Sequence, residues 1–203
     1  MHIPDGYLGP ATSGVLYAIM IPIWIIASNM VKKTLKAAEV PLLGIAAAFC
    51  FVIMMFNVPI PGGTTGHAVG GVLVAIILGP WAACIAITVA LVVQALLFGD
   101  GGITAIGANC FNMAFILPFA GYYIYKVISY NSAAESGRRV IAAGIAAYIA
   151  LNIAAGFAGF EFGIQPILHK TASGQALYCP YGLGAALPAM LGEHLLVFGW
   201  VEA

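Results

Sequence analysis

Charge is what this sequence has least of: seven Lys and Arg and seven Asp and Glu among 203 residues, 7% in all, against 63% hydrophobic residues. Soluble domains carry roughly 25% charged and 45–50% apolar residues, so a water-soluble fold is excluded. A formal net charge of zero leaves nothing to neutralise a phosphate backbone and too little polarity to solvate a disordered chain. Nucleic-acid binding and disorder are therefore excluded together. Several signatures are also missing. No GxxxxGK[ST] stretch is present, so any ATP-driven step belongs to another polypeptide. No HExxH is present, and Cys50, Cys84, Cys110 and Cys179 form no CxxC pair and read as small packing residues. The start, Met1-His2-Ile3-Pro4-Asp5-Gly6, is not the basic leader of a signal peptide and is expected to stay on the mature protein.

What the chain does contain is long apolar runs, at about 11–31, 42–57, 68–79, 81–98, 108–129, 139–160 and 183–201. A crossing takes about 20 residues, so these runs account for most of the chain. The expectation is an all-α integral membrane protein, one transmembrane domain over 1–203 built as a bundle of about seven helices. The third run is too short to span alone. It is preceded by Asn57-Val58-Pro59-Ile60-Pro61-Gly62-Gly63-Thr64-Thr65-Gly66-His67, where proline and glycine forbid regular helix. Such backbone at membrane depth must be buried in protein or line a cavity. Lys32, Lys33, Lys36, Lys126, Arg138 and Arg139 mark two connections as cytoplasmic by the positive-inside rule. The N-terminus, the 57–67 stretch and the 99–107 and 161–180 loops then lie outside, and the C-terminus inside. Asp5, Asp100 and Glu161 give that outer side a field that suits an arriving cation. Alanine stripes at 82, 86 and 90, and at 142, 146, 150, 154 and 158, fit close helix packing within the bundle.

The residues that can carry chemistry begin at the first two. A free α-amine, the amide nitrogen of residue 2 and its imidazole Nδ1 close a five-membered and then a six-membered chelate ring around one metal ion. That supplies three corners of a square plane, the geometry of Ni(II) or Cu(II) rather than of Zn(II), Mg(II) or Ca(II). A stiff turn with Pro4 and Gly6 is suited to tucking the terminus back into the bundle. The fourth corner falls to His67, in the irregular segment, where Gly62, Gly63, Gly66, Gly70 and Gly71 let another backbone approach. A second glycine-rich stretch, Phe98 to Asn109, also returns to the outer face, and Asp5, Asp100 and Asn109 are candidates to hold an imidazole N–H or a loop amide. His169, beside Lys170, reads as a solvated loop residue. Glu193 and His194 sit inside the last helix about 100° apart, and an interhelical hydrogen bond is expected there rather than a proton-coupled step. The methionines Met20, Met54, Met55, Met113 and Met190 form no close cluster and read as packing.

Three separated motifs carry a resemblance: Met-His-Ile-Pro-Asp-Gly at 1–6, Pro-Ile-Pro-Gly-Gly-Thr-Thr-Gly-His at 59–67 and Leu-Leu-Phe-Gly-Asp-Gly-Gly-Ile-Thr at 96–104. With Asn109 to Met113 and Glu161 to Pro166, the chain resembles the CbiM/NikM family along nearly its whole length. These are the substrate-binding membrane (S) components of energy-coupling-factor (ECF) transporters for cobalt and nickel. The resemblance implies one divalent ion held by the Met1 amine, the His2 amide nitrogen and imidazole, and the His67 imidazole. It also implies partners: a transmembrane coupling (T) protein, two ATPase subunits and a small accessory membrane protein. Family members usually continue beyond Val201-Glu202-Ala203.

The leading expectation is therefore a non-enzymatic capture subunit for Ni(II) or Co(II) in the cell membrane, the ion being its cargo and no cofactor being needed. An intramembrane metal-dependent enzyme starting from Glu193 and His194 lacks a recognisable ligand set, and a self-sufficient divalent-cation transporter would want polar residues through the midplane. With reference pKa values near 8 for the amine and 6.5 for imidazole, metal affinity is expected to fall steeply between pH 8 and 5.

Overall fold

In a computed structural model that describes residues 1–60 and 64–203, the chain is an all-α integral membrane protein. Among the described residues, six helices are long and apolar enough to cross a bilayer: α1 (Pro10–Thr34), α2 (Ala37–Met55), α4 (Pro80–Phe98), α5 (Ile106–Ile128), α6 (Gly137–Leu168) and α7 (Leu183–Glu202). Between α2 and α4 lies α3 (Gly71–Leu78). Its eight residues rise only about 12 Å, so it is half a crossing, as its length in the sequence requires.

Proline and glycine punctuate this bundle. Proline occupies the first turn of α1 and α4, where the missing N–H breaks no hydrogen bond, and Pro41 stands where the opening 3₁₀ turn of α2 passes into α-helix. Gly79, at φ +88°, reverses the chain between α3 and α4. Ser136 caps α6 by accepting from the Arg138 amide. The segment before α3 contains an element that hydropathy did not reveal, an antiparallel hairpin of β1 (Val58–Ile60) and β2 (Thr64–Gly66) pairing Val58 with Gly66. The pairing satisfies part of the strands' backbone where lipid cannot. Pro61, Gly62 and Gly63 lie outside the described residues.

The helix faces sort as a lipid solvent demands. On α6, Ala142, Ala146, Ala150, Ala154 and Ala158 are fully buried, while Ile141, Ile145, Ile149 and Ile153 point outward as a lipid-facing belt. Ala82, Ala86 and Ala90 on α4 are likewise interior, so both alanine stripes serve packing within this bundle. Where α1 crosses α5, a Cβ at Gly107 would lie 2.8 Å from the Tyr17 backbone nitrogen. Main chain cannot yield there. Gly107→Ala is expected to destabilise the bundle by about 1–3 kcal/mol, read as a lower unfolding temperature in detergent, with lipid-facing Ile145→Ala near neutral.

Candidate metal centre

The first eight residues are not a free tail. They lie across one end of the bundle with Met1 and Ile3 buried, and a specific set of hydrogen bonds keeps them there. Asn109 at the start of α5 clamps residue 3 from both sides: its carbonyl oxygen accepts the Ile3 N–H at 2.8 Å, and its amide donates to the Ile3 carbonyl at 3.0 Å. The Gly102 N–H adds a third bond to the Ile3 carbonyl, at 2.9 Å. The Asp5 carboxylate accepts from the Ile103 and Thr104 amides and from the Thr104 hydroxyl. Gly102 is required by proximity, because a Cβ there would fall 2.3 Å from the Asp5 nitrogen. At the far end, the Gly9 N–H donates to the buried Gln165 carboxamide at 2.9 Å, and Gln165 also donates to the Glu161 carbonyl.

This docking brings Met1, His2 and His67 together. The Met1 amine donates to the Thr65 carbonyl on β2 at 2.6 Å. The His2 and His67 rings lie with centroids 4.5 Å apart. Each ring has one nitrogen engaged and one without a partner. His2 Nε2 is 3.1 Å from the Gln94 carboxamide oxygen, and His67 Nδ1 is 3.0 Å from the Ala68 carbonyl. Both partners are acceptors, so each engaged nitrogen carries the proton. The nitrogens left over, His2 Nδ1 and His67 Nε2, are buried lone pairs with no hydrogen-bond partner. Native interiors rarely tolerate one such group.

Electrostatics keep these nitrogens neutral. Burial pulls the Met1 amine down to about 5, outweighing the carboxylates of Glu193 and Asp100, which act the other way. Burial, then the neighbouring amine, takes His2 down to about 3, and the same two causes hold His67 well below its ordinary value. The steep acid dependence drawn from reference values is thus displaced to lower pH. Asp100 places Oδ1 3.6 Å from His2 Nδ1; half-buried, its carboxyl is raised by desolvation. Among the described residues no three His, Cys, Asp or Glu side chains gather to hold a metal ion. A chelate here would need the main-chain nitrogens.

Several residues depart from expectation or were missed. His169 is not a solvated loop side chain: its ring occupies the space beside Gly9 and packs edge-on to Tyr178 at 5.2 Å. His194 makes no interhelical bond of the expected kind, its Nδ1 lying 2.7 Å from the Met190 carbonyl and 3.3 Å from Glu193 Oε1 on the same helix. Gln94, which orients His2, was missed, although an amide alone in an apolar span is a functional signal. Glu202 was missed too. Its Oε2 accepts from the Val69 and Gly70 amides at 2.6 and 2.9 Å, between His67 and the start of half-helix α3. Beside the site a cavity of about 420 Å³ is lined by Met1, His2, Thr65, Phe162, Cys179 and Met190.

Residues 2–203 match the family CbiM, "Cobalt uptake substrate-specific transmembrane region". The chain belongs to the CbiM family. It is similar to the "Probable fused nickel transport protein LarMN" of Lactiplantibacillus plantarum, 56% identical over 100% of this chain and 61% of the relative. It is also similar to the "Fused nickel transport protein NikMN" of Rhodobacter capsulatus, 51% identical over 100% of this chain and 58% of the relative. The chain thus spans about three fifths of these two curated relatives. A solved structure titled "Crystal Structure of an Truncated Transition metal Transporter" superimposes with a TM-score of 0.94 at 52% identity, covering 100% of this CbiM member and 92% of that chain.

Two tests follow. Gly102→Ala is expected to displace the N-terminal segment and weaken metal binding roughly tenfold or more, measured by titration. Because the amine and His2 have lower pKa values docked than free, docking excludes protons. It is fully favourable above about pH 8 and weakens as pH falls through 8 toward 5 for the amine, and through 6.5 toward 3 for His2. Faster hydrogen exchange of the Ile3 and Gly102 amides at pH 5 than at pH 8 is the expected sign.

Proposed function

We propose that this CbiM member is the capture subunit of an ATP-driven importer for Ni(II) or Co(II), an ECF S component with no catalysis of its own. The observation that carries the reading is the pair of unpartnered, neutral imidazole nitrogens, His2 Nδ1 and His67 Nε2, buried beside the Met1 amine. A divalent ion entering there gains the amine, the deprotonated His2 amide, His2 Nδ1 and His67 Nε2 as a four-nitrogen square plane. Such a set suits Ni(II) and excludes the oxygen-seeking Mg(II) and Ca(II). Gln94 and the Ala68 carbonyl act as outer partners that fix ring orientation and tautomer, Asn109 holds the backbone, and Asp5 and Asp100 steady the glycine-rich loop and the local field.

The printed names of the nickel-transporting relatives support this choice of cargo. The basic residues at the Lys32–Lys36, Lys126 and Arg138–Arg139 connections favour a cell-membrane orientation with the N-terminus outside and the C-terminus cytoplasmic. Since the chain has no nucleotide-binding loop, the motor would be two ATPase subunits joined through a transmembrane coupling protein, with a small accessory membrane protein as a further partner. Metal arriving from outside would pass the 420 Å³ cavity, which Tyr7 and Tyr181 border.

The test is nickel binding by the purified protein beside one residue added before Met1, His2→Ala and His67→Ala. All three are expected to abolish tight binding, and normal binding by the extended form would remove the amine from the ligand set. Acid dependence is diagnostic as well. With the amine and imidazoles already neutral, only the amide proton is displaced near neutrality, so the apparent dissociation constant should change about tenfold per pH unit between pH 6 and 8. Below about pH 5 the loss becomes steeper as the amine protonates.

A further inference from the structure

The loop that follows α4 brings a carboxylate to the edge of the metal site. The sequence Phe98-Gly99-Asp100-Gly101-Gly102 leaves α4 through the π-helical turn Gln94–Phe98. Gly99, at φ +67°, and Gly101, at φ +85°, fold the chain back on either side of Asp100. The Gln94 carbonyl accepts the Asp100 N–H at 3.1 Å, and the Gln94 side-chain oxygen lies 3.1 Å from His2 Nε2. One residue thus sets the positions of both Asp100 and His2. A Cβ at Gly101 would fall 3.1 Å from Asn109 Nδ2 and 3.3 Å from His2 Cδ2, so the turn packs against the same imidazole.

This placement sets two acceptors against each other. The Gln94 amide donates to the Phe51 carbonyl at 3.4 Å, which aims the Gln94 oxygen at His2 and fixes the imidazole proton on Nε2. His2 Nδ1 is then a lone pair, buried without a hydrogen-bond partner, and Asp100 Oδ1 faces it at 3.6 Å. A lone pair and a carboxylate oxygen repel unless a positive centre lies against both. The charge of Asp100 also reaches the Met1 amine, so the carboxylate faces two of the nitrogens assigned to the ion. Donors at right angles on one ion, each about 2.0–2.1 Å from it, lie about 3 Å apart. Asp100 Oδ1 therefore needs to close by only about 0.6 Å.

We infer that Asp100 is the axial oxygen ligand of this site for Co(II) and decides how the protein ranks cobalt against nickel. The inference rests on the capture reading above. The amine, the His2 amide, His2 Nδ1 and His67 Nε2 take the four corners of the plane, so a carboxylate drawn onto the ion has only an axial position. Strong in-plane nitrogen donors leave Ni(II), with eight d electrons, square planar and with little affinity for a fifth ligand. Co(II), with seven, accepts one in the same plane. On binding, the carboxylate displaces one water from Co(II), and no proton moves. With the His2 amide deprotonated the ion retains one positive charge, which a carboxylate offsets where burial makes charge costly. Ni(II) gains that offset through space alone, and Co(II) gains a bond as well.

The experiment measures Ni(II) and Co(II) dissociation constants of the purified full chain and of Asp100→Asn without oxygen, together with electron paramagnetic resonance of the cobalt complexes. Asparagine keeps the size of the side chain and the main-chain bond to Gln94, and removes the charge. Co(II) affinity is expected to fall at least about tenfold further than Ni(II) affinity, with altered g values and cobalt hyperfine splitting. Equal loss of both metals would make Asp100 a counter-charge and overturns the inference. An unchanged cobalt spectrum also overturns it, since the axial position would then belong to water. X-ray absorption of the parent needs no substitution: the nickel edge should carry the pre-edge feature of a square plane and the cobalt edge should lack it. A planar cobalt complex overturns the inference. Nickel binding that survives His67→Ala would sink the capture reading itself; with His67 required, an equal response of the two metals to Asp100→Asn sinks the axial ligand alone.

Discussion

The clamp of Asn109 and Gly102 on the main chain of Ile3 is the interaction on which the rest of the site depends. A chain terminus in a lipid-facing protein has no reason to stay buried unless its amides and carbonyls are satisfied, because unpaired backbone groups are costly away from water. Three hydrogen bonds to residue 3 and three to Asp5 meet that demand. Once residue 3 is held, residues 1 and 2 have little freedom. The amine reaches Thr65, the His2 ring reaches Gln94, and the two rings meet.

The architecture around the clamp looks irregular only when judged as a helix bundle. A hairpin and a half-helix replace a full crossing, and the half-helix begins where a buried group is most useful. The Val69 and Gly70 amides just ahead of it are met by Glu202 from the last helix, so His67 sits at a junction of β2, α3 and α7. The π-helical turns Gln94–Phe98 and His194–Phe198 each begin at a residue whose side chain faces this junction. Regular α-helix gives way to π-helical or non-helical backbone around this junction, and the alanine-packed crossings elsewhere hold the frame.

Burial has a second consequence. An amine and two imidazoles in water would hold protons at mildly acidic pH, and metal would have to displace them. Here desolvation has already removed them, so the folded chain bears that cost and leaves lone pairs pre-formed. Preorganisation of this kind raises affinity without adding a contact.

Much of this was legible in the sequence. Lack of charge and the length of apolar runs determined a multi-pass helical membrane protein, since only helices bury their own polar backbone in lipid, and proline and glycine marked where a crossing breaks. Met1-His2 stood out because the proposed chelate would be written in adjacent residues, and His67 because it ends the irregular proline- and glycine-rich segment. The hairpin was not legible, because its pairing depends on two three-residue strands without a periodic pattern. Nor were Gln94, Gln165 and Glu202, lone polar residues in apolar or terminal stretches whose partners lie tens of residues away. The packing of His169 and the same-helix partner of His194 were not legible for the same reason: sequence records that a group is polar, and only the packed bundle decides which of its atoms find partners.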